Sequence, residues 1–561
     1  MLQFLRVNRN IRSIRRYLNI VRVLSSYGFD QALEMLGLAD VVMRSRKLFR
    51  RPSPDIARLS SAERMRLALE ELGPTFVKLG QLLSTRPDVI PHAFVKEFEK
   101  LQDNVPSFSF EEVLSQITSE LGGPVEQFFI EIDPVPLAAA SIAQVHRARL
   151  NSGEDVVIKV RRPNIVGVVE SDISALMALA GLAERHVSGS ELYNPVGVVR
   201  EFARTIRREM DFSREAHTIE KFRDNFTKTP WMHFPRVYWP QTSRGILTME
   251  YVAGVKVSDQ ENLADQGLDG KVIARRGADA FLEMVLNHGF FHGDLHPGNL
   301  LILPDNVICL LDYGIVGRLD ESLKTFLTDI LSAIVNRDMD EVVSLLLFAG
   351  DISDSLDTRA LKRDMFNFID GYYEIPIKEI EIGRMLMEFI EIITLYSIRI
   401  PSDLTLLAKS LVLIEGMGRT LDPTFDMAEH LRPFMLKALR QKFSPLKVSR
   451  DINQILFSYL NLARNIPRDL KEIINRINRN KFKIDLEHRG LDKFTADFDR
   501  SINRLSTSMI LAAMIIGSSI IMQTDKGPKV MGFPMLAFMG YTVAGLVGLW
   551  LIYAIIRSGR M

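Results

Sequence analysis

The chain has 561 residues, more than one hydrophobic core usually organises, so we expect several folding units. Its 70 lysines and arginines balance 69 aspartates and glutamates, and this net charge of +1 argues against a nucleic-acid-binding protein. The single cysteine, Cys309, excludes a disulfide framework and a cysteine-ligated zinc site.

The N-terminal segment, which we assign to residues 1–56, is basic and amphipathic. Its arginines alternate with apolar side chains, as in a helix that lies on an anionic membrane surface. Docking on the protein's own body explains the pattern equally well. A secretory signal peptide is excluded because there is no continuous apolar core or cleavage site, whereas a mitochondrial transit peptide fits the charge alone. The arginines are Arg6, Arg9, Arg12, Arg15, Arg16 and Arg22.

A helix is predicted in PTFVKLGQLLSTRPDVIP, Pro74 to Pro91, within a helical region that we assign to residues 57–135. Its apolar face is formed by Phe76, Val77, Leu79 and Leu83. Lys78 and Gln81 are three residues apart, so they project from one side of the helix. From these residues alone, the segment is an ordinary core helix.

A loop of small residues follows, at the place where a phosphate-binding loop would precede a lysine-bearing strand. It consists of Ala138, Ala139, Ala140 and Ser141, and it contains no G-x-G-x-x-G pattern. Glycine lets backbone N–H groups approach a phosphate closely, and alanine restricts that approach. We therefore expect this loop to hold a nucleotide differently, either more weakly or with altered selectivity.

The strand DVVIKVRRP places Lys159 among valines and an isoleucine, where a lysine needs a partner. The candidate partner is Glu209 in the charged helical stretch RREMDFSREA. Asp211 and Glu215 in the same stretch are also plausible, and the sequence does not choose among the three acids. The alternative is a lysine whose charged end reaches solvent at a sheet edge, beside a solvated helix face.

Two motifs carry most of the functional information: HGDLHPGNLLI, from His292 to Ile302, and LLDYG. Asp294, Asn299 and Asp312 have the spacing of the catalytic-loop aspartate, the magnesium-binding asparagine and the D-F-G aspartate of protein kinases. The apolar runs between them predict a two-stranded hairpin that brings Asn299 and Asp312 to the same end. Oxygen ligands there suit Mg²⁺ bound to ATP. Ordinary turns are the alternative explanation.

The C-terminal part is predicted to be helical, with a connector over 449–504 and then two uncharged stretches, Leu505 to Thr524 and Val530 to Ile556. Each stretch is long enough to cross a bilayer, and the short link between them predicts a transmembrane hairpin. Arginines flank its outer ends, which favours a cytoplasmic body and a multi-pass protein of the inner (cytoplasmic) membrane. The alternative is a buried helical pair in a soluble core.

Together these motifs resemble the UbiB family of atypical kinases, also called AarF/UbiB, over roughly residues 59–318. The most specific element is similar to the family's KxGQ motif, with Lys78, Gly80 and Gln81 at its named positions. The alanine-rich loop and the E-x-D pattern at Glu209 and Asp211 match as well.

The resemblance implies an α+β, protein-kinase-like, two-lobed fold with an N-terminal helical KxGQ extension and a C-terminal transmembrane hairpin. We place the N-lobe at 136–253, the C-lobe at 254–448 and the hairpin at 505–556.

The resemblance also implies roles for individual residues. Lys159 would contact phosphates, Glu209 would pair with a lysine, and Asp294 would act in the catalytic loop. Asn299 and Asp312 would bind Mg²⁺, and backbone near Glu250 and Val252 would contact the adenine of ATP. The alanine-rich loop would contact the nucleotide, and the residues implied to be regulatory are Lys78, Gln81 and Asp211.

Three functions fit these observations. The favoured one is a membrane-anchored, magnesium-dependent ATPase or phosphotransferase that supports isoprenoid quinone (ubiquinone) biosynthesis. The second is a protein kinase that acts on a biosynthetic partner. The third is a nucleotide-gated module that binds a lipid or quinone precursor with little turnover. The expected partners are membrane lipids and a quinone precursor or quinone-biosynthesis proteins, with no nucleic acid.

Overall fold

A computed structural model describes most of the chain. The described residues are 15–38, 56, 58–84, 86, 89–101, 106–187, 194–335, 338–349, 357–373, 375, 379–396, 398, 401–433, 491–523, 528–530 and 533–557. The chain divides into two compact units, Met1–Val448 and Ser449–Met561.

The first unit begins with a group of helices around one apolar cluster. They are α1 over 15–26, α2 Asp30–Met35, α3 Ser61–Leu72, α4 Pro74–Ser84, α5 His92–Phe98 and α6 Phe110–Leu121. Ser60 and Ser109 start α3 and α6 with capping boxes, in which a serine and a glutamate three residues later satisfy free backbone N–H groups. The helix predicted within Pro74 to Pro91 is confirmed over Pro74–Ser84.

Helix α1 packs on the protein itself over its described residues. Ile20 and Val23 are buried in the same cluster as Phe76 of α4. Arg16 donates to Asp172 at 2.5 Å and to the carbonyl of Leu72 at 2.6 Å. Of the two explanations for the amphipathic pattern, docking on the protein's own body is therefore the one seen at 15–26, while residues 1–14 and 39–55 lie outside the described residues.

A five-stranded antiparallel sheet follows, in the order β1-β3-β4-β6 with β2 paired to β3. Its strands are β1 Phe129–Ile132, β2 Ala138–Ala139, β3 Ala143–Leu150, β4 Asp155–Arg161 and β6 Ile246–Glu250. In register, Val145 lies opposite Lys159 and Lys159 lies opposite Leu247. Residues paired in this way share one face of a sheet, so Lys159 points to the same side as these two apolar side chains.

Three helices lie between β4 and β6 in the chain: α7 Ile165–His186, α8 Pro195–Glu209 and α9 Phe212–Asn225. Helix α8 ends at Glu209 and α9 starts at Phe212, so the charged stretch predicted as one helix is divided between two. Helix α7 is long and apolar enough to pass as a membrane span. However, its Val169 and Ile173 are buried with α4 side chains, so we assign it to the core of this unit.

The remaining elements of the first unit are short strands and helices. The strands are β5 Met232–His233, β7 Val255–Lys256, β8 Phe290–His292, β9 Leu300–Leu303, β10 Val307–Leu310 and β11 Val316–Arg318. The helices are α10 Gln260–Asp265, α11 Gly270–Leu282, α12 Glu321–Val335, α13 Met339–Ala349, α14 Thr358–Tyr373, α15 Ile382–Leu395 and α16 Ser402–Leu421. A π-helical turn, Glu283–His288, continues α11.

The second unit is a helical hairpin. Helix α17 Leu491–Gln523 and helix α18 Met535–Arg557 are joined through the short strands β12 Lys529–Val530 and β13 Phe533–Pro534. Gly540 of α18 lies so close to the Ser518 hydroxyl that an added Cβ would collide with it. Helix α18 begins at Met535, five residues after the start of the predicted uncharged stretch at Val530. The connector residues 449–490 lie outside the described part of the chain.

Gly80 generates a prediction about packing. A Cβ built on it would collide with Leu101 and lie 2.9 Å from a Leu69 methyl carbon, so this glycine lets α4 pack tightly. We expect Gly80→Ala to lower the free energy of unfolding by about 1–3 kcal/mol, the usual effect of overpacking a core. Thermal unfolding in detergent measures the change.

Gly181 of α7 provides the matched control, because nothing lies within 4 Å of a Cβ built there. Gly181→Ala is expected to leave the stability unchanged or to raise it by at most ~1 kcal/mol, since alanine favours a helix. Equal losses of stability in the two variants would contradict this explanation of Gly80.

Candidate active site

Lys159 and Glu215 form the buried ion pair at the centre of the candidate site. The Lys159 ammonium lies 2.9 and 2.8 Å from the two carboxylate oxygens of Glu215. Glu215 is 8% exposed and lies in the first turn of α9. Of the three acids that the sequence left open, the structure therefore gives Lys159 the partner Glu215, and the candidate Glu209 was wrong for this pairing. Glu209 lies at the end of another helix.

Asp312 is the second acid beside Lys159. Its Oδ1 atom lies 3.7 Å from the Lys159 Nζ atom and accepts a hydrogen bond from the Gly314 N–H at 3.1 Å. The neighbouring Lys159 holds the pKa of the Asp312 carboxyl well below its usual range. Asp312 is therefore ionised at neutral pH, as a ligand for a hard cation must be.

Burial and charge act in opposite directions on Lys159. Burial by itself lowers the pKa of an ammonium, but the charges of Glu215 and Asp312 outweigh it and raise the pKa of Lys159. Burial raises the pKa of the Glu215 carboxyl, and Lys159 opposes that shift. Lys159 thus opposes protonation of the buried Glu215 and favours the charged form of Asp312, whose side chain is 51% exposed.

The predicted hairpin is confirmed by the antiparallel pairing of β9 with β10, in which Leu300 lies opposite Leu310. The Leu311 N–H donates to the Asn299 carbonyl at 3.0 Å, so Asn299 and Asp312 come to the same end of the hairpin. The Asn299 amide nitrogen donates to the Asp294 carbonyl oxygen at 3.1 Å. Its side-chain oxygen is thereby left as the available metal ligand.

His292 was not singled out by the sequence, although it begins the HGD motif. Its Nδ1 atom accepts the Asp294 N–H at 3.1 Å, and its Nε2 atom bonds to the Asp312 carbonyl. Burial lowers the pKa of His292, so the ring is neutral and Nε2 carries the proton. A neutral imidazole therefore fixes the backbone of both aspartates. The sequence signal for this role was the position of His292 directly before the catalytic loop.

Tyr313 anchors the segment that carries Asp312. Its ring is buried beside Phe222 of α9, and its hydroxyl donates to the Leu310 carbonyl at 2.9 Å. Beside the larger effect of Lys159, the Tyr313 backbone also opposes the rise in the pKa of Glu215. Glu215 thus connects the lysine strand, its own helix and the Asp312 segment.

The KxGQ helix α4 reaches the same charges from another side. Lys78 forms an ion pair with Glu209 at 2.6 Å, so Glu209 does pair with a lysine, as the resemblance implied. Lys78 also contributes to the low pKa of Asp312. Gln81 donates instead to the Leu101 carbonyl at 3.1 Å. Asp211 accepts from the Ser213 hydroxyl at 2.5 Å and lies 3.6 Å from Arg214. The regulatory roles of Lys78, Gln81 and Asp211 remain predictions.

The alanine-rich loop is partly a strand. Ala138 and Ala139 form β2, and the Ala140 N–H closes a turn on the Ala143 carbonyl at 2.8 Å. The Ser141 hydroxyl is fully buried and has no hydrogen-bond partner among the described residues. The proposed contact of this loop with nucleotide remains a prediction.

The backbone predicted to contact adenine begins at the last residue of β6. The Glu250 carboxylate accepts from the Arg236 N–H at 3.1 Å and lies 3.2 Å from the His233 ring, whose hydrogen bond lowers the pKa of Glu250. The Tyr251 N–H donates to the Asp155 carbonyl at 3.1 Å. Val252 lies in the irregular segment just after. Contact of this backbone with adenine remains a prediction.

The sequence did not single out the apolar residues on the sheet face that carries Lys159. Val145 and Leu247 flank Lys159 in register, and Val157 lies opposite Met249 in the next row of the same face. The signal for Val157 was its place two residues before Lys159, since residues two apart in a strand share one face of the sheet. Together these apolar residues form a surface beside Lys159, of which Val145 is partly exposed while Val157, Leu247 and Met249 are buried.

Comparisons with known proteins bear on the fold class. Three family profiles match the chain: "ABC1 atypical kinase-like domain" over residues 100–346, "UbiB helical domain" over 365–426 and "ABC1/UbiB kinase-like C-terminal domain" over 489–557. The first match confirms the kinase-like character of the mixed helix and strand fold.

Two relatives align over most of their length. The "Uncharacterized protein in hydrogenase 1 5'region" of Clostridium pasteurianum is 32% identical over 98% of this chain and 100% of its own. The "Probable protein kinase UbiB" of Pseudomonas aeruginosa (strain LESB58) is 37% identical over 79% of this chain and 84% of its own. A solved structure, "The complex structure of Rv3197-erythromycin from Mycobacterium tuberculosis", aligns at a TM-score of 0.42 and 20% identity over 62% of this chain and 92% of that one, too distant to support an argument.

The Lys159–Glu215 pair generates a prediction about stability. We expect Lys159→Met to lower the free energy of unfolding at pH 7 by ~3 kcal/mol, because it leaves Glu215 buried and charged without a partner. The loss should shrink as the pH falls. Burial raises the pKa of Glu215 above its unfolded value, so the folded variant gains a proton before the unfolded chain does.

Denaturant unfolding between pH 5 and pH 8 measures this dependence. The double variant Lys159→Met with Glu215→Gln is the control, since it removes both charges and should lose less stability than Lys159→Met at pH 7 and vary less with pH. A loss for Lys159→Met that is independent of pH would contradict the assignment.

Proposed function

Because the chain belongs to the UbiB family of atypical kinases, we propose that it is a membrane-anchored enzyme that binds ATP with Mg²⁺ and hydrolyses it or transfers its terminal phosphoryl group. We propose that this activity supports isoprenoid quinone (ubiquinone) biosynthesis. The observation that carries the proposal is the convergence of Lys159, Glu215 and Asp312 beside the Asn299 end of the hairpin. Kinase-type phosphoryl transfer uses this set of groups.

The nucleotide would lie between the five-stranded sheet and the β9–β10 hairpin, as in a two-lobed kinase. The apolar surface of Val145, Val157 and Met249 suits the flat face of a purine. Lys159 lies beside that surface, where the phosphates of a bound nucleotide would be. The alanine-rich loop would cover them and the backbone near Val252 would face the base.

Asn299 and Asp312 would hold Mg²⁺, and the residues present fit that role. Mg²⁺ usually takes one or two protein oxygens and fills its other positions with water and phosphate oxygens. Among the described residues no group of three histidine, cysteine or acidic side chains forms a metal site, and such a group is not needed here. Bound Mg²⁺ would neutralise phosphate charge, while Asp294 would orient the attacking hydroxyl or water.

The position of the KxGQ helix favours a small acceptor over a protein. Lys78 pairs with Glu209 and acts electrostatically on Asp312, so α4 lies close to the space that a peptide substrate would use. We therefore prefer an ATPase or a small-molecule or lipid phosphotransferase to a protein kinase acting on a biosynthetic partner. A nucleotide-gated module that binds a lipid or quinone precursor with little turnover is the second candidate.

The helical hairpin would anchor the protein in the inner (cytoplasmic) membrane. Leu505–Gln523 is long and apolar enough to cross a bilayer, and most of its surface is uncovered. Large apolar side chains such as Met509, Leu546 and Trp550 are more than half exposed and would face lipid tails. Ser518, in contrast, faces Gly540 within the pair. ATP use would require a cytoplasmic body.

Steady-state hydrolysis of ATP by the full-length protein in liposomes tests the proposal. We expect turnover that needs Mg²⁺, rises with anionic lipid or a phenol that mimics a quinone precursor, and falls at least a hundredfold in Asp312→Asn. The variant loses the carboxylate charge that would hold the metal. Asp224→Asn, which removes an exposed carboxylate of α9, should retain wild-type turnover.

Absence of turnover despite tight nucleotide binding would favour the nucleotide-gated module. Turnover that persists in Asp312→Asn would contradict the proposed site.

A further inference from the structure

Two ion pairs connect the KxGQ segment to helix α8. Lys78 pairs with Glu209 at 2.6 Å, and Arg86 pairs with Glu201 at 2.5 Å. The two cations are eight residues apart in the chain, and so are the two acids. Because the later cation meets the earlier acid, the two segments run in opposite directions and are joined at both ends.

An apolar seam lies between the two ion pairs. Phe202 and Ile206 of α8 are buried in the same cluster as Phe76 and Val77 of α4. Glu201 and Glu209 are two helical turns apart and so lie on nearly the same side of α8. The seam supplies the attraction between the helices, and the two charged contacts fix how α4 lies along α8.

One of these pairs, Lys78–Glu209, acts electrostatically on the candidate active site. Glu209 adds a smaller contribution to that of Glu215 and Asp312 in raising the pKa of Lys159, and Lys78 adds a smaller contribution to that of Lys159 in lowering the pKa of Asp312. The first pair is therefore part of the charge network of the site. The Arg86–Glu201 pair lies two turns away along α8. We therefore expect Arg86 to act on the reaction through the position of Lys78.

We propose that Arg86 and Glu201 are positioning residues that hold α4 against α8, so that Lys78 stays over the nucleotide site. This inference rests on the proposed function, because it concerns access to that same site. With the pair intact, nucleotide enters and leaves slowly. When the pair is broken, α4 moves away from α8 more often, and nucleotide enters and leaves faster.

The size of the effect follows from exposure. The Arg86 side chain is 19% exposed and the Glu201 side chain is 40% exposed, so water screens the pair. A partly exposed ion pair changes an equilibrium by about two- to fivefold when one charge is removed, and by more when it is reversed. We therefore expect a graded change in the rate of nucleotide release and no loss of folding.

A charge-swap experiment on the full-length protein in liposomes tests the inference. The variants are Arg86→Glu, Glu201→Arg and the double variant that carries both changes. The readouts are the release rate of a fluorescent ATP analogue with Mg²⁺ and the hydrogen exchange of the α4 amides. We expect each single change to speed release at least twofold and to speed exchange in Pro74–Ser84, and the double variant to restore both.

Arg207→Glu is the matched control. Arg207 lies on the same helix and pairs with Glu170 of α7 at 2.6 Å, so its loss should leave nucleotide release unchanged. Lys78→Met is the positive control, since it breaks the Lys78–Glu209 pair, which acts electrostatically on the site.

The inference is overturned if the double variant releases the nucleotide as fast as the faster single variant. It is also overturned if Lys78→Met speeds nucleotide release while both single changes leave it unaltered. A wild-type protein that does not bind the analogue would contradict the proposed function instead. Hydrogen exchange of α4 would still decide whether the pair holds this helix.

Discussion

The structure around the candidate site depends on one buried cation, Lys159, shared between two acids. Glu215 belongs to α9 and Asp312 follows the β9–β10 hairpin, so the lysine brings together three parts of the chain. Burying the Lys159–Glu215 pair is costly, and replacing such a pair with apolar side chains often leaves a protein equally stable. The arrangement is therefore better explained by what it positions than by the stability it contributes.

Neutral and apolar groups keep that arrangement in place. His292 bonds to the backbone at Asp294 and Asp312, and the buried Tyr313 ring keeps the Asp312 segment against α9. The backbone that carries Asp294 and Asp312 consequently has little freedom to move when the charge distribution around it changes. Preorganisation of this kind is what phosphoryl transfer requires, because its catalysis consists mainly of positioning and charge neutralisation.

Local patterns predicted much of this site. Apolar arms around a turn predicted the hairpin, and helical spacing predicted α4, because both depend on neighbours in the chain. The partner of Lys159 was not predictable in the same way. A helix ends between Glu209 and Glu215, and this break directs one acid to Lys78 and the other to Lys159. The docking of α1 through Arg16 and Asp172 likewise depends on residues distant in sequence.

Binding of ATP measured by calorimetry, with Mg²⁺ and again with the metal chelated, tests the central claim most directly. If Lys159 and a metal on Asn299 and Asp312 hold the phosphates, affinity should fall at least tenfold without Mg²⁺, and Asn299→Ala should remove most of that dependence. Equal affinity with and without Mg²⁺ in the wild-type protein would contradict the claim that these residues form a metal–nucleotide site.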